Sequence, residues 1–188
     1  MKKSGFTLIE LIVSMTIITM ITAIFLVNYK ATTQRSDLRL TAQRVVSDIR
    51  LVQNYALGLM SYGPNNLKKA PAGGWGIVFD AGSGEYSTFA DITPNRLLDL
   101  GEDDEAYGAI HNQLPDNFIV DSIKVKQTGG TIITVPKASI AFLPPDPKVF
   151  INAYEENQEV EVVLKDKISG ETKTIRINFL GLAEVLGD

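Results

Sequence analysis

Residues 6–27 read FTLIELIVSMTIITMITAIFLV, and this apolar stretch decides how the chain is organised. Its only charged residue is Glu10. As an α-helix with a rise of 1.5 Å per residue it is roughly 33 Å long, enough to cross the hydrocarbon core of a membrane. A buried helix of a soluble protein is the alternative, but a helix that is apolar on every side needs more covering surface than so small a domain offers. We therefore expect a single membrane-spanning helix.

The residues after this stretch indicate that it stays in the mature protein. Asn28, Tyr29 and Lys30 follow directly, without the small-residue cleavage pattern of a secretory signal peptide. The basic residues near the span are Lys2 and Lys3 before it, and Lys30, Arg35, Arg39 and Arg44 after it. By the positive-inside rule alone, this distribution places the large domain in the cytoplasm.

The helix is predicted to continue beyond the span as an amphipathic segment over residues 28–62. Apolar residues recur there at steps of three and four: Leu38, Ala42, Val45, Ile49, Val52, Ala56 and Met60. No proline or glycine interrupts residues 6–57, and Gly63-Pro64 supplies a stop. A coiled-coil dimer is the alternative, but a stripe confined to this half and followed by strand-like sequence favours packing on a sheet.

Residues 63–188 are predicted to form a β-rich globular domain. Residues 75–80 and 85–91 flank Ala81-Gly-Ser-Gly84 and are typical of a hairpin. Further strands are predicted over residues 118–127, 131–135, 139–143, 149–154, 159–165 and 172–179. Alternation of Val160, Val162 and Leu164 with charged residues indicates an antiparallel sheet with one solvent-exposed face. One long helix followed by strands gives an α+β fold.

Composition removes several classes of function. The 188 residues contain no cysteine and one histidine, which excludes disulfides, thiolate metal sites, a cysteine nucleophile and a two-histidine zinc site. The net charge is −4, and because residues 1–50 carry an excess of Lys and Arg, the remainder is more acidic still. An acidic body is a poor electrostatic match for nucleic acid, so we expect no nucleic-acid partner.

The remaining site candidates have ordinary structural interpretations. His111 lacks a nucleophile elbow and an ordered base, so we interpret it as a loop or surface histidine. Gly82-Ser83-Gly84 lacks the lysine and the helix of a phosphate loop and is interpreted as a turn. The acidic residues Asp99, Glu102, Asp103, Asp104 and Glu105 offer oxygen ligands to calcium, but their spacing does not fit an EF-hand loop and a solvated loop is favoured. No cofactor, metal or catalytic residue is assigned.

Glu10 is the residue that calls for an explanation. A charged carboxylate near the centre of a membrane helix costs about 2.5 to 3.5 kcal/mol on insertion scales, and less near an end. Such a group is seldom left without a partner. Protonation of Glu10, or its return to the interface one turn from the helix start, is the structural alternative to a role in assembly.

The N-terminal residues contain a recognisable motif. Lys2-Lys3-Ser4-Gly5 followed by Phe6-Thr7-Leu8-Ile9-Glu10-Leu11 resembles the type III signal of type IV prepilins and type II secretion pseudopilins. The resemblance implies that residues 1–5 are a leader, that a prepilin peptidase cleaves between Gly5 and Phe6 on the cytoplasmic face, and that the new amino group of Phe6 is methylated. It also implies export of the domain, which overrules the charge count.

That resemblance gives Glu10 a role in subunit assembly. Cleavage creates a cationic amine at Phe6, and Glu10 supplies the opposite charge at low dielectric. Because the two groups lie four residues apart on one helical face, the pairing is either within one subunit or between neighbours.

The later sequence narrows the resemblance. Gly74-Trp75-Gly76-Ile77-Val78-Phe79, Phe89-Ala90-Asp91 and Ile177-Asn178-Phe179-Leu180-Gly181 are similar to segments of H-type minor pseudopilins and FimT-like minor pilins. The chain departs from many major pilins in having no cysteine-closed loop and in carrying Val27 where many have a proline. Both departures favour a minor subunit over a principal one.

The sequence thus predicts a structural, non-enzymatic filament subunit of a type IV pilus or type II secretion pseudopilus. Its expected partners are other pilin or pseudopilin subunits, the prepilin peptidase and an inner-membrane assembly platform. It is expected to cross the inner membrane once, with its N-terminus cytoplasmic and its domain outside, before entering an extracytoplasmic filament. A membrane-tethered ligand-binding module is the alternative, and a single-pass enzyme is a third and less favoured one.

Overall fold

A computed structural model describes residues 7–62, 69–99, 110–127, 129–144, 148–152, 154–155 and 158–187. Its contacts divide the chain into two compact units, one extending to Asp37 and the other comprising Leu38–Asp188. Within its described residues, the first unit is helical from Leu8 onward, and the side chains at residues 7–26, 29 and 32–37 are exposed apart from that of Gln34, which is half-buried. The second unit holds the core and the β-strands.

Helix α1 spans Leu8–Leu57, so the sequence prediction that it continues to residue 62 is wrong by five residues. The chain leaves the helix in a left-handed turn at Leu59, whose φ is +49°. The N–H of Met60 donates to the Tyr55 carbonyl at 2.9 Å, and the N–H of Leu59 donates to the Ala56 carbonyl at 3.1 Å. This pair of bonds is a Schellman cap, which ends the helix before Gly63-Pro64 is reached.

The described strands of the second unit form two sheets in which every pairing is antiparallel. In chain order they are β1 Gly74–Asp80, β2 Glu85–Asp91, β3 Ile110–Gln113, β4 Phe118–Lys126, β5 Ile132–Val135, β6 Lys137–Leu143, β7 Lys148–Ile151, β8 Tyr154–Glu155, β9 Glu159–Asp166, β10 Thr172–Ile177 and β11 Ala183–Val185. One sheet has the order β3-β2-β1-β6-β7-β8 and the other β11-β10-β9-β4-β5. The predicted α+β fold and the β1–β2 hairpin are confirmed.

The apolar stripe of α1 lies in the core between these strands. Leu38, Ala42, Val45, Ile49, Val52 and Ala56 are at most 2% exposed and belong to one apolar cluster with residues of both sheets. The prediction that this half of the helix packs on sheet is therefore confirmed. Met60 was assigned to the same stripe wrongly, because it lies beyond the helix cap and is 51% exposed.

The strand edges differ from the sequence prediction in two ways. The segment predicted as one strand over residues 149–154 is divided into β7 and β8, because Asn152 adopts a left-handed φ of +50° between them. Asn adopts this region more readily than most residues, and its side-chain oxygen accepts the Ser139 N–H of β6 at 2.9 Å. In addition, β3 and β11 were not predicted; both are short and add to the outer edge of a hairpin.

Both faces of the β1–β2–β6–β7 region are covered. Phe89 and Phe150 share a face with Gly76, opposite to the face that meets the core, and yet both are at most 1% exposed. The segment after β2 crosses this outer face, with the Arg96 guanidinium 4.0 Å from the Phe150 ring centroid. The Arg96 N–H also donates to Asp91 Oδ2 at 2.6 Å. These contacts explain why β1 is buried along most of its length instead of alternating.

One side-chain hydrogen bond joins α1 to β2 inside the second unit. The Tyr86 hydroxyl donates to Asp48 Oδ2, and Tyr86 is only 3% exposed. Burial, together with this bond to a carboxylate, raises the pKa of the Tyr86 phenol well above its ordinary value. The folded protein therefore holds the Tyr86 proton more tightly than the unfolded chain does.

We expect Tyr86→Phe to lower the free energy of unfolding by about 2 kcal/mol at neutral pH, because Asp48 loses a donor in a half-buried position. Stability from the raised pKa is fully present below pH of about 10 and is lost as the pH rises further, by at most about 1.4 kcal/mol per pH unit. The difference between the two proteins should accordingly shrink above pH of about 10.

Urea unfolding of the full chain in detergent, followed by fluorescence of Trp75, measures this effect. Trp75 is the only tryptophan, is 6% exposed and donates its Nε1–H to the Met60 carbonyl at 3.1 Å, so it reports on the helix–sheet contact. Tyr55→Phe is the matched control, because it also removes one tyrosine hydroxyl. It keeps the ring that packs on Trp75, so the fluorescent reporter retains its neighbour. If the difference in free energy of unfolding between Tyr86→Phe and the parent stays constant up to a pH of about 11, the result contradicts the raised pKa of Tyr86 and its hydrogen bond to Asp48.

Candidate assembly site

The part of α1 from Leu8 to Leu26 is long and apolar enough to cross a membrane. It contains 19 residues, and none of its apolar window is buried by the chain itself. Leu8 is 79% exposed, and even the least exposed of its large side chains, Val13, is 49% exposed. We call this segment the apolar span. Because exposed apolar surface on this scale is unfavourable in water, lipid or other protein must cover it.

The polar side chains of the apolar span are satisfied within the helix. Each hydroxyl donates to the carbonyl four residues earlier: Ser14 to Glu10 at 2.7 Å, Thr16 to Ile12 at 2.9 Å, Thr19 to Met15 at 2.8 Å and Thr22 to Ile18 at 2.8 Å. No water is needed to complete these bonds, so the four hydroxyls are compatible with a lipid environment.

Glu10 lies in the first turn of α1, where Thr7 caps the helix. The Thr7 hydroxyl accepts the N–H of Glu10 at 3.3 Å and donates to Glu10 Oε2 at 3.5 Å. A carboxylate in this position also interacts favourably with the positive end of the helix dipole. The carboxylate is therefore held at the helix start by contacts of its own chain.

Thr7 is a residue whose role the sequence analysis missed. The signal was present, because a threonine followed three residues later by glutamate is the spacing of a capping box. Gly5 and Phe6, the predicted cleavage and methylation positions, lie outside the described residues. The expected meeting of the Phe6 amine with Glu10 therefore stays a prediction.

His111 lies on β3 and is exposed, so it is a surface histidine on a strand and not in a loop. Its Nδ1 is 2.7 Å from the Ser87 hydroxyl oxygen on β2. Ser87 and His111 are directly opposite each other in the β2–β3 register. The hydrogen bond therefore joins the edge strand β3 to the sheet.

The turn and acidic-loop candidates are placed as follows. Gly82 has a φ of +81° between β1 and β2, which confirms that residues 82–84 form a turn. Of the acidic segment only Asp99 is described, and its Oδ2 accepts hydrogen bonds from Thr93 at 3.0 Å and Asn95 at 2.5 Å. Glu102, Asp103, Asp104 and Glu105 lie outside the described residues. Within the described ranges, no three metal-ligating side chains come together.

Residues 1–26 match the family model described as the prokaryotic N-terminal methylation motif. No curated protein and no solved structure matches the chain. The matched residues include the predicted leader, Glu10 and the apolar span, so the motif and the exposed helix coincide. The match supports a precursor of the type IV pilin or pseudopilin kind.

We expect Ile17→Arg to weaken membrane association of the chain, because a charge at the middle of a spanning helix costs about 3 kcal/mol. Ile17 is 53% exposed near the centre of the apolar span. Leu40→Arg is the matched control: Leu40 is 61% exposed on the same helix but lies beyond the span. Alkaline extraction of membranes should release a larger fraction of Ile17→Arg than of Leu40→Arg. Equal retention of both variants contradicts a membrane role for the span.

Proposed function

We propose that the chain is a minor pilin or pseudopilin, a non-enzymatic structural subunit of a type IV pilus or type II secretion pseudopilus. The observation that carries the proposal is the coincidence of the N-terminal methylation motif at residues 1–26 with an exposed apolar helix over Leu8–Leu26. A folded α+β domain follows it in the same chain. A motif that directs processing, an apolar helix and a soluble domain are the parts that a processed filament subunit requires.

In this proposal, prepilin peptidase removes residues 1–5, and the amine of Phe6 is methylated. The new amine then lies immediately before Thr7, which caps the helix and contacts Glu10. Opposite charges attract strongly when they leave water, and an unpaired charge there is heavily penalised. The Phe6 amine pairs with Glu10 either in its own subunit or in the next one, and this pairing guides entry into the filament.

The apolar span would then serve as the assembly surface. In the membrane its side chains face lipid; in a filament they pack against the spans of neighbouring subunits. The hydroxyls of Ser14, Thr16 and Thr19 donate to carbonyls of their own helix. They therefore need no outside partner, either in lipid or between packed helices. The domain is carried outside the inner membrane while the N-terminus stays cytoplasmic.

A minor role, similar to that of H-type pseudopilins and FimT-like pilins, is supported by the sequence features of the domain. The Gly74–Phe79 segment lies in β1, in which Gly76 allows a close approach: a Cβ there would lie 2.4 Å from Cζ of Phe89 and 3.0 Å from the Ile140 carbonyl oxygen. The chain also has no cysteine with which to close a loop. Partners in this role are other pilin-like subunits and the inner-membrane assembly platform.

Intact-mass measurement of the protein extracted from membranes tests processing. We expect the mature chain to begin at Phe6 and to be heavier by one methyl group, because the peptidase cleaves and then methylates. Gly5→Leu is expected to leave the precursor uncut. A chain that begins at Met1 or Lys2 in cells with an active prepilin peptidase overturns the proposal and favours a membrane-tethered binding module.

Substitution of Glu10 tests the pairing. We expect Glu10→Gln and Glu10→Leu to insert and fold normally but to be absent from sheared filaments, because the Phe6 amine loses its opposite charge. Thr16→Val is the matched control, since the Thr16 hydroxyl donates to the Ile12 carbonyl of its own helix. Immunoblots of the filament and membrane fractions give the proportion of each variant that enters filaments. Normal incorporation of both Glu10 variants removes the pairing from the mechanism.

A further inference from the structure

Strand β5, Ile132–Val135, forms one edge of the five-stranded sheet, and among the described residues no strand lies beyond it. Edge strands of natural sheets are commonly protected by charged side chains, by proline or by cover from another element. β5 reads Ile-Ile-Thr-Val, without a charged residue or a proline, and three of its four side chains are exposed. Neither charge nor proline nor cover therefore protects this edge.

The other edge strands of the described sheets differ from β5 in this respect. β3 carries His111. β11 carries Glu184, which is ion-paired with Arg176 of β10. β8 consists of two residues, one of which is Glu155. Among the edges of the two sheets, within the described part of the chain, β5 is therefore the strand without a histidine or a carboxylate.

The register shows which backbone groups of β5 face outward. The N–H of Gln127 donates to the Thr131 carbonyl at 2.8 Å where β4 turns into β5. Because hydrogen-bonded and non-hydrogen-bonded pairs alternate along an antiparallel ladder, Ile133 also bonds to β4. Ile132 and Thr134 occupy the alternate positions, so their N–H and C=O groups point away from β4. These donors and acceptors have the spacing with which an added strand pairs.

The side chains of β5 leave the core partly uncovered at this edge. Ile133 lies opposite Val125, which is buried in the core, so Ile133 faces the core as well. It is nevertheless 37% exposed, because β5 is the outermost strand of its sheet. Ile132 lies on the opposite face of the sheet and is 60% exposed. A strand added beside β5 would cover Ile133, provided that its own residue at that position is apolar.

The charges beside β5 indicate the chemistry of the other face of an added strand. Lys124 and Lys126 of β4 are exposed there, and Lys124 lies opposite Thr134 of β5. On the far side of β4, the neighbouring strand β9 places Glu161 opposite Lys124 and Glu159 opposite Lys126. β5 supplies no such acid. An added strand lies about 10 Å from β4, a distance that a lysine and a glutamate side chain can span together across the small Thr134.

We propose that the β5 edge binds an extended segment of a different protein, in which β-branched apolar residues alternate with acidic ones. The segment pairs with the outward-facing groups of Ile132 and Thr134 as a sixth strand. Its apolar side chains cover Ile133, and its acidic side chains face Lys124. The contact ends with one added strand, since the new edge belongs to the partner. It goes beyond the proposed function and requires neither leader cleavage nor the Phe6 amine.

Amide hydrogen exchange of the full-length, unprocessed chain in a maltoside detergent, measured by NMR, tests this contact. The probe is a synthetic peptide with blocked ends that repeats Glu-Val, and the matched control peptide repeats Lys-Val. We expect the Glu-Val peptide, at about ten times its Kd, to slow exchange of the Ile132 and Thr134 amides about tenfold. The Ile133 amide, already bonded to β4, and the amides of β11 at the opposite edge should change little. The Lys-Val peptide should bind more weakly.

Two variants separate the backbone pairing from the charge. Thr134→Pro removes one outward-facing N–H, and proline is tolerated at such a position of an edge strand. We expect its thermal midpoint to stay near that of the parent while the Glu-Val peptide no longer protects Ile132. Lys124→Gln should raise the Kd of the Glu-Val peptide about threefold. Lys167→Gln is the matched control, since it removes an exposed lysine from the turn after β9.

Several outcomes overturn the proposal. Unchanged exchange of Ile132 and Thr134 up to the solubility limit of the Glu-Val peptide shows that the edge accepts no strand of this kind. Equal protection by the Lys-Val peptide excludes an acidic partner. Protection without peptide that rises with protein concentration shows that a second copy occupies the edge. If Thr134→Pro unfolds the domain, the comparison of Lys124→Gln with Lys167→Gln decides. Because the chain is unprocessed, a negative result leaves the proposed function unaffected.

Discussion

The structure depends on one unfavourable condition. The nineteen residues of the apolar span, Leu8–Leu26, are not buried by the rest of the chain. Burying a single Leu or Ile side chain is worth about 1.5 to 3 kcal/mol, so the span as a whole drives the protein into lipid or against other helices. The polar side chains of this part of the helix are compatible with such surroundings. Ser and Thr hydroxyls return to backbone carbonyls, and the single carboxylate lies at the first turn beside Thr7.

The same helix has a second function in the other unit. From Leu38 onward its buried apolar residues fall on one stripe, and this stripe forms part of the core with residues of both sheets. The hydrogen bond from Tyr86 to Asp48 and the packing of Tyr55 on Trp75 fix the helix against the strands. The element that is proposed to join subunits is therefore also a structural element of the domain that it carries.

Exposed apolar side chains of the second unit occur in several places, among them Leu40 on α1, Ile132 on β5 and Leu180 after β10. The outer face of the five-stranded sheet carries ion pairs, among them Lys126 with Glu159 and Arg176 with Glu159 and Glu184. The outer face of the other sheet is covered by the segment around Arg96. Around the end of α1, by contrast, the side chains of Leu57, Leu180 and Leu182 are each more than half exposed.

Sequence alone determined the apolar span, the stripe from Leu38 to Ala56, the β1–β2 hairpin and the alternation of β9, because each is a periodic pattern that a short segment carries by itself. The same local signals were insufficient for the helix end at Leu57, the break at Asn152 and the short strands β3 and β11. Those features depend on a left-handed turn or on hydrogen bonds to partners distant in the chain. The division into two sheets and the covering of Phe89 and Phe150 were likewise decided by tertiary structure, since only folding selects which strands pair and which surfaces are covered.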